Sequence, residues 1–188
     1  MQYDAKYGII RGGKGLFEMA LKLLPAVVCP RAKAFEIVRL FGSEIISSDG
    51  MQLEKQFIQH GSVSVYAHSV AVAVMCVRLA MLLPFAVDLR ALVRGALLHD
   101  YFLYDWHDGD KSHRLHGFRH ARFAFNNAKR DFELGEVEKN MILSHMFPLG
   151  IVLPRFRESV ILCIADKICA TAETSVGCFA KFIMFVRM

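Results

Sequence analysis

The sequence predicts an all-α fold, and three observations carry that expectation. Almost nothing alternates with period two for long, so half-buried strands find no support. The apolar stretches run from ten to twenty residues and are bounded by Gly, Pro, Asp or Ser, which favours helices. The chain has 188 residues, 54% hydrophobic and 22% charged, enough for one domain with a real core and too apolar for disorder.

Taken in order, helices are expected at about 15–28, 33–46, 50–59, 62–83, 87–103, 116–130, 135–146, 155–173 and 175–186. Pro25, Pro30, Pro84, Pro148 and Pro154 fall near proposed ends or turns, as the missing proline N–H requires. The glycine-rich Arg11-Gly12-Gly13-Lys14-Gly15 lacks the spacing and terminal Ser/Thr of a phosphate-binding loop and reads as a flexible turn. The stretch from Val65 to Val87 is long enough to span a membrane, but His68 and Arg78 would be unfavourable at a bilayer centre, so a buried helix is expected. The most polar window, Tyr104 to Arg114, reads as a loop placed to roof whatever precedes it. The tail from Ser175 to Met188 is rich in Phe, Met and Val, and is expected to pack on the bundle or on a second copy as a homodimer.

Charge and cysteine usage narrow the class. The net charge of +5 suits an anionic small substrate, and no run of five or more Lys/Arg favours nucleic acid. Five Cys with no C-x-x-C read as buried free thiols in a reducing cytosol. The N-terminal Met-Gln-Tyr-Asp-Ala-Lys-Tyr lacks the apolar core of a signal peptide, so a cytoplasmic protein is expected.

Four polar residues break the apolar text. His99 and Asp100 close the run Ala91-Leu92-Val93-Arg94-Gly95-Ala96-Leu97-Leu98, His68 sits inside an upstream run, and Asp166 inside a downstream one. An isolated buried carboxylate or imidazole costs several kcal/mol, so these groups need a shared partner, and a divalent cation supplies one. Two imidazoles and two carboxylates suit Fe, Mn, Co, Ni or Zn and leave positions open for water and a substrate oxygen. Helical bundles build such sites from inward side chains on facing helices.

The order His68, His99-Asp100, Asp166 resembles the HD superfamily of metal-dependent phosphohydrolases. HSVAVA after His68, ALLHD through the doublet and CIADKICA around Asp166 are close to that family's wording. KQFIQHGSVSVYAHS, LLHDYFLYDW, LHGFRHA and SHMFPL resemble a bacterial subgroup of small single-domain members. The resemblance covers about residues 52–175 of a single domain spanning 1–188. It implies an HD-domain helical bundle with His68, His99, Asp100 and Asp166 as metal ligands. It favours one ion, with His116 and His145 as candidates for a second, since the paired histidines of two-metal members appear here only as His145. His120 lies one helical turn after His116 and is a candidate for substrate or metal.

The resemblance implies hydrolysis of a phosphomonoester or phosphodiester, of a nucleotide or other small phosphorylated metabolite, by metal-activated water. Asp100 is the catalytic candidate, with Asp105, Asp108 or Asp110 as alternatives for orienting water. Lys111, Arg119 and Lys167 are candidates for binding phosphate, together with Arg114 and Arg122. Tyr101, Tyr104 and Trp106 could stack on a base or pack the helix end. Two other readings stay open: a two-iron oxygenase or lyase, and a nucleotide-binding module without turnover.

Overall fold

A computed structural model of the chain describes residues 2–4, 9–11, 30–106 and 115–186, with side chains over 30–106 and 115–175. The helix expected at 15–28, Lys111, and the charged residues Asp108, Asp110 and Arg114 lie outside the described residues, as does the packing of the tail's side chains beyond Ser175.

The two helices that carry His68 and the His99-Asp100 doublet begin where a side chain satisfies an orphan N–H. Ser64 accepts from the Ala67 N–H at 3.2 Å and opens Val65–Leu82, here α3, so that His68 sits in its first turn. Asp88 accepts from the Ala91 N–H at 3.0 Å and opens Leu89–Leu98, α4. Ahead of them lie α1 (Arg31–Ile46) and the short α2 (Asp49–Leu53), which Ser48 caps. After them come α5 (His116–Asp131), α6 (Glu136–Ser144) and α7 (Arg157–Val186). The described residues are therefore a helical domain, as the periodicity predicts.

Helix α3 is the axis of the bundle. It has the length and hydropathy of a membrane span, but half of it is buried within the protein. Its Val72, Ala73, Cys76, Val77 and Ala80 join Leu92, Val93, Ala96 and Leu97 of α4 and Leu162 and Ala165 of α7 in one apolar core. Helix α1 closes on α4 at Gly42, where an added Cβ would lie 2.3 Å from Leu97 Cδ1. The described cysteines Cys76, Cys163 and Cys169 are buried and free.

The structure departs from the sequence expectations in three places. The helix expected at 50–59 stops after the single 3-10 turn Glu54–Gln56, and the chain turns into the hairpin of β3 (Ile58–His60) and β4 (Val63–Ser64). Gly61 makes the turn with φ of 61°, a conformation open to glycine without steric penalty. A second sheet pairs β1 (Gln2–Asp4), β2 (Ile9–Arg11) and β5 (Val87–Asp88) antiparallel. Strands of two or three residues are too short to leave an alternation in the text. The helices expected at 155–173 and 175–186 are one: no Pro interrupts them, Gly177 is carried within the helix, and the Thr174 and Ser175 hydroxyls bond back to the Ala170 and Thr171 carbonyls.

One buried charge holds α4 to its neighbours. Arg94 donates to Glu138 at 2.7 Å, Glu44 at 3.0 Å and the Glu133 carbonyl at 3.0 Å. Replacing Arg94 by Ala would strand the buried Glu138 carboxylate. The expected loss is about 3–5 kcal/mol, read from denaturant midpoints at unchanged slope.

Candidate metal centre

The end of α4 makes the site. His99 is its C-cap, and the chain turns tightly at Asp100, where the Phe102 N–H donates to the Asp100 carbonyl at 2.7 Å. Asn127 on α5 grips the outgoing chain by donating to the Tyr101 and Phe102 carbonyls, both at 3.0 Å. His68 from α3 and Asp166 from α7 meet the doublet here. His68 Nε2 is 3.2 Å from Asp166 Oδ1 and 3.8 Å from Asp100 Oδ2, and His99 Nε2 is 3.3 Å from Asp100 Oδ2. The structure thus brings His68, His99, Asp100 and Asp166 together in a buried cluster.

Asp100 faces two ways. Its Oδ2 looks toward His68 and His99, while its Oδ1 lies 3.2 Å from His120 Nε2 and 3.4 Å from His145 Nε2. Three groups among the described residues have metal-ligand spacing: His68, His99 and Asp166 on one side of Asp100; Asp100 itself with His120 and His145 on the other; and His60, His68 and Glu173, which shares His68 with the first.

Local helix geometry sets the tautomers. His99 Nδ1–H donates to the Ala96 carbonyl at 2.7 Å, His145 Nδ1–H to Ile142 at 2.7 Å, and His120 Nδ1–H to His116 at 2.9 Å. The Ala96 and Ile142 carbonyls lie in last turns, where helix carbonyls lack partners, and the C-cap imidazoles of His99 and His145 take them up; His120 instead bonds back one turn to the first residue of α5. His68, near the start of its helix, instead donates Nδ1–H to Glu173 Oε2 at 2.9 Å. All four Nε2 lone pairs therefore converge on two carboxylates. His120 Nε2 and His145 Nε2 stand only 2.8 Å apart, and His99 Nε2 and Asp100 Oδ1 are buried with no hydrogen-bond partner. Lone pairs facing one another in a dry site need cations between them. The residues present fit one divalent ion on each side of Asp100, with the Nδ1–H acceptors as the orienting partners such sites use.

Protons substitute for cations in part. Burial alone would lower His68, but its bonds to Asp166 and Glu173 raise it to about 9. Burial opposes charge on His99 too, and Asp100 and Asp166 overcome it. Burial would raise Asp100, yet His99, His120 and His145 hold it well below the usual carboxylate range. His145 is lowered, chiefly by burial. In His120, Asp100 outweighs burial and raises it.

The other sequence candidates scatter. His116 belongs to neither ligand group: its ring is stacked between Trp106, at 4.8 Å, and His120, at 4.7 Å, with the Tyr104 hydroxyl 2.9 Å from Nδ1. His120, one turn further along α5, takes the place expected of it. Arg119 is exposed with its guanidinium over Phe123, 5.1 Å from the ring centre, and does not line the cavity. Lys167 does line it, its ammonium donating to the His145 carbonyl at 3.1 Å. Tyr101 is buried in the core, and its hydroxyl donates to Asp131 at 3.1 Å.

Sequence reasoning missed four residues around the cluster. Gln59, delivered by the unforeseen hairpin, donates its amide to Asp100 Oδ2 at 2.5 Å. Glu173 and Asn127 act from long helices where each reads as an ordinary surface residue. Glu54 is fully buried with both oxygens unpartnered, and burial, then Asp100, pushes it well above the usual carboxylate range. A lone acid within an amphipathic stretch carries no such signal.

A family model described as HD domain matches residues 65–171, more than half of the chain. No curated protein and no solved structure matches it.

Two expectations follow. Asp100→Ala should lose metal from both groups and His99→Ala chiefly from one, while Glu173→Ala should weaken binding about 10–100-fold; elemental analysis and metal titration of folded variants read all three. His68 titrates near 6.5 when unfolded and about 9 when folded. Its contribution to stability is complete below pH 6.5 and lost as pH rises through 9. Thermal unfolding of metal-free protein should therefore show melting temperatures falling across that window, and a bound divalent ion should remove the fall.

Proposed function

Taking as premise that the chain belongs to the HD-domain family, we propose that it is a metal-dependent hydrolase of phosphate esters in which the residues on the two sides of Asp100 would hold two divalent ions. The observation that carries this reading is the two-sided Asp100 carboxylate, with His68 and His99 at one oxygen, Asp166 beside those two rings, and His120 and His145 at the other oxygen. This favours two positions where the sequence favours one ion. The mixed N/O set suits Mn, Fe, Co, Ni or Zn. When bound, such ions would supply water whose pKa is lowered toward about 7 and would neutralise charge on a phosphoryl oxygen.

The chain's own residues do the rest. Gln59 donates to Asp100 Oδ2 and holds the carboxylate plane between the two groups. Glu173 fixes the His68 ring with Nε2 toward the cluster. Lys167, at the cavity wall beside Asp166, places a positive charge where a phosphate would enter. The cavity of about 870 Å³ opens directly on Asp100, His120, His145 and Asp166 and is large enough for a small phosphorylated metabolite. In the hydrolysis a water oxygen bonds to phosphorus as the ester P–O bond breaks, and the alcohol leaves with a proton.

The test is phosphate release from a panel of mono- and diesters by protein stripped of metal and reloaded with Mn, Co, Ni, Zn or Fe. Activity should depend on the added ion and fall at least about a hundredfold in Asp100→Ala. Metal-loaded protein without turnover of any ester would overturn the reading. Two irons per chain with a visible absorption band and no hydrolysis would turn it toward oxidative chemistry.

A further inference from the structure

The cavity walls do not resemble its floor. Asp100, His120, His145 and Asp166 form the floor, whereas Trp106, Leu115, Met146, Pro148 and Leu149 form much of the wall. Two of these are large apolar side chains left in water at the rim, Leu115 at 70% and Leu149 at 51% exposure. Apolar surface gathered around a polar floor marks a place where something apolar is bound.

Leu115 gives a second, independent sign. Its φ is 61° and its ψ 33°, the left-handed region that glycine or asparagine enters most easily. It also occupies the N-cap position of α5 and makes no side-chain cap there, where Ser, Thr, Asp or Asn would satisfy an N–H. One residue thus breaks two local rules at the edge of the site, and such breaks concentrate where a side chain serves function. Among the described residues lining the cavity, Lys167 alone carries a permanent positive charge. With the ions on the floor, that suits a single phosphoryl group rather than a polyphosphate chain.

We propose that the cavity takes phosphate monoesters whose ester group is apolar and about the size of an aromatic ring, seated between Leu115 and Leu149 with the phosphoryl group on the floor. This rests on the phosphohydrolase reading and goes beyond it in naming the substrate class. Burying about 60 Å² of the ring against these walls corresponds to roughly tenfold in affinity.

Methylphosphonate and phenylphosphonate, which are not hydrolysed, separate the two parts of the claim. Calorimetric titration of the metal-loaded full chain should show phenylphosphonate binding about tenfold or more tighter than methylphosphonate. In Leu115→Asn and Leu149→Gln, which add no charge, that advantage should shrink severalfold while methylphosphonate affinity stays unchanged. Leu115→Asn suits the left-handed N-cap position and should melt no lower than the parent, so lost binding would not reflect lost folding. Equal affinities in the parent, or an advantage untouched in both variants, would overturn the inference and leave the hydrolase reading standing. Failure of both phosphonates to bind would overturn both.

Discussion

The structure depends on one electrostatic constraint: four imidazole lone pairs and two carboxylates share a space from which water is largely excluded. None of these groups can remain there alone, because an unpaired charge or a bare acceptor in the interior costs several kcal/mol. Asp100 sits at the centre and turns one oxygen toward each set of imidazoles. The helices that surround it provide both the burial that creates the need and the carbonyls that fix the answer. His99, His120 and His145 each donate Nδ1–H to a carbonyl three or four residues back on their own helix. A hydrogen bond of secondary structure thereby decides which nitrogen faces the centre.

The surrounding residues share this work unequally. Asn127 and the tight turn at Asp100 locate the doublet after α4 ends. Glu173 does for His68 what the helix carbonyls do for the other three. Gln59 donates to Asp100 Oδ2 and so limits rotation of that carboxylate. The column of Trp106, His116 and His120 links the cavity wall to a ligand ring. His116 thus packs between the cavity wall and the cluster without belonging to either ligand group on the two sides of Asp100.

Much of the centre was legible because burial and polarity conflict visibly in text. His68 and Asp166 interrupt apolar runs, and the His99-Asp100 pair ends one, so each announces a need for compensation. His120 and His116 were harder to separate, since both lie on the same face of one helix. A turn of helix, 5.4 Å, separates a ring that meets Asp100 from one that only supports it. Arg119 illustrates the opposite error: its charge suited phosphate, but the side chain had a nearer aromatic face at Phe123.

From sequence alone came the helical class, the order of the long helices, and four of the residues that meet at the centre. Periodicity and the cost of burying charge are local properties, and the text records them. Tertiary structure alone decided that Asp100 would stand between two groups, that Gln59 and Glu173 would support them, and that Leu115 and Leu149 would flank the opening. Those outcomes depend on how helices cross and where short strands pair. Contacts made across a hundred residues, as between His68 and Glu173, leave no period or spacing in the chain that could disclose them.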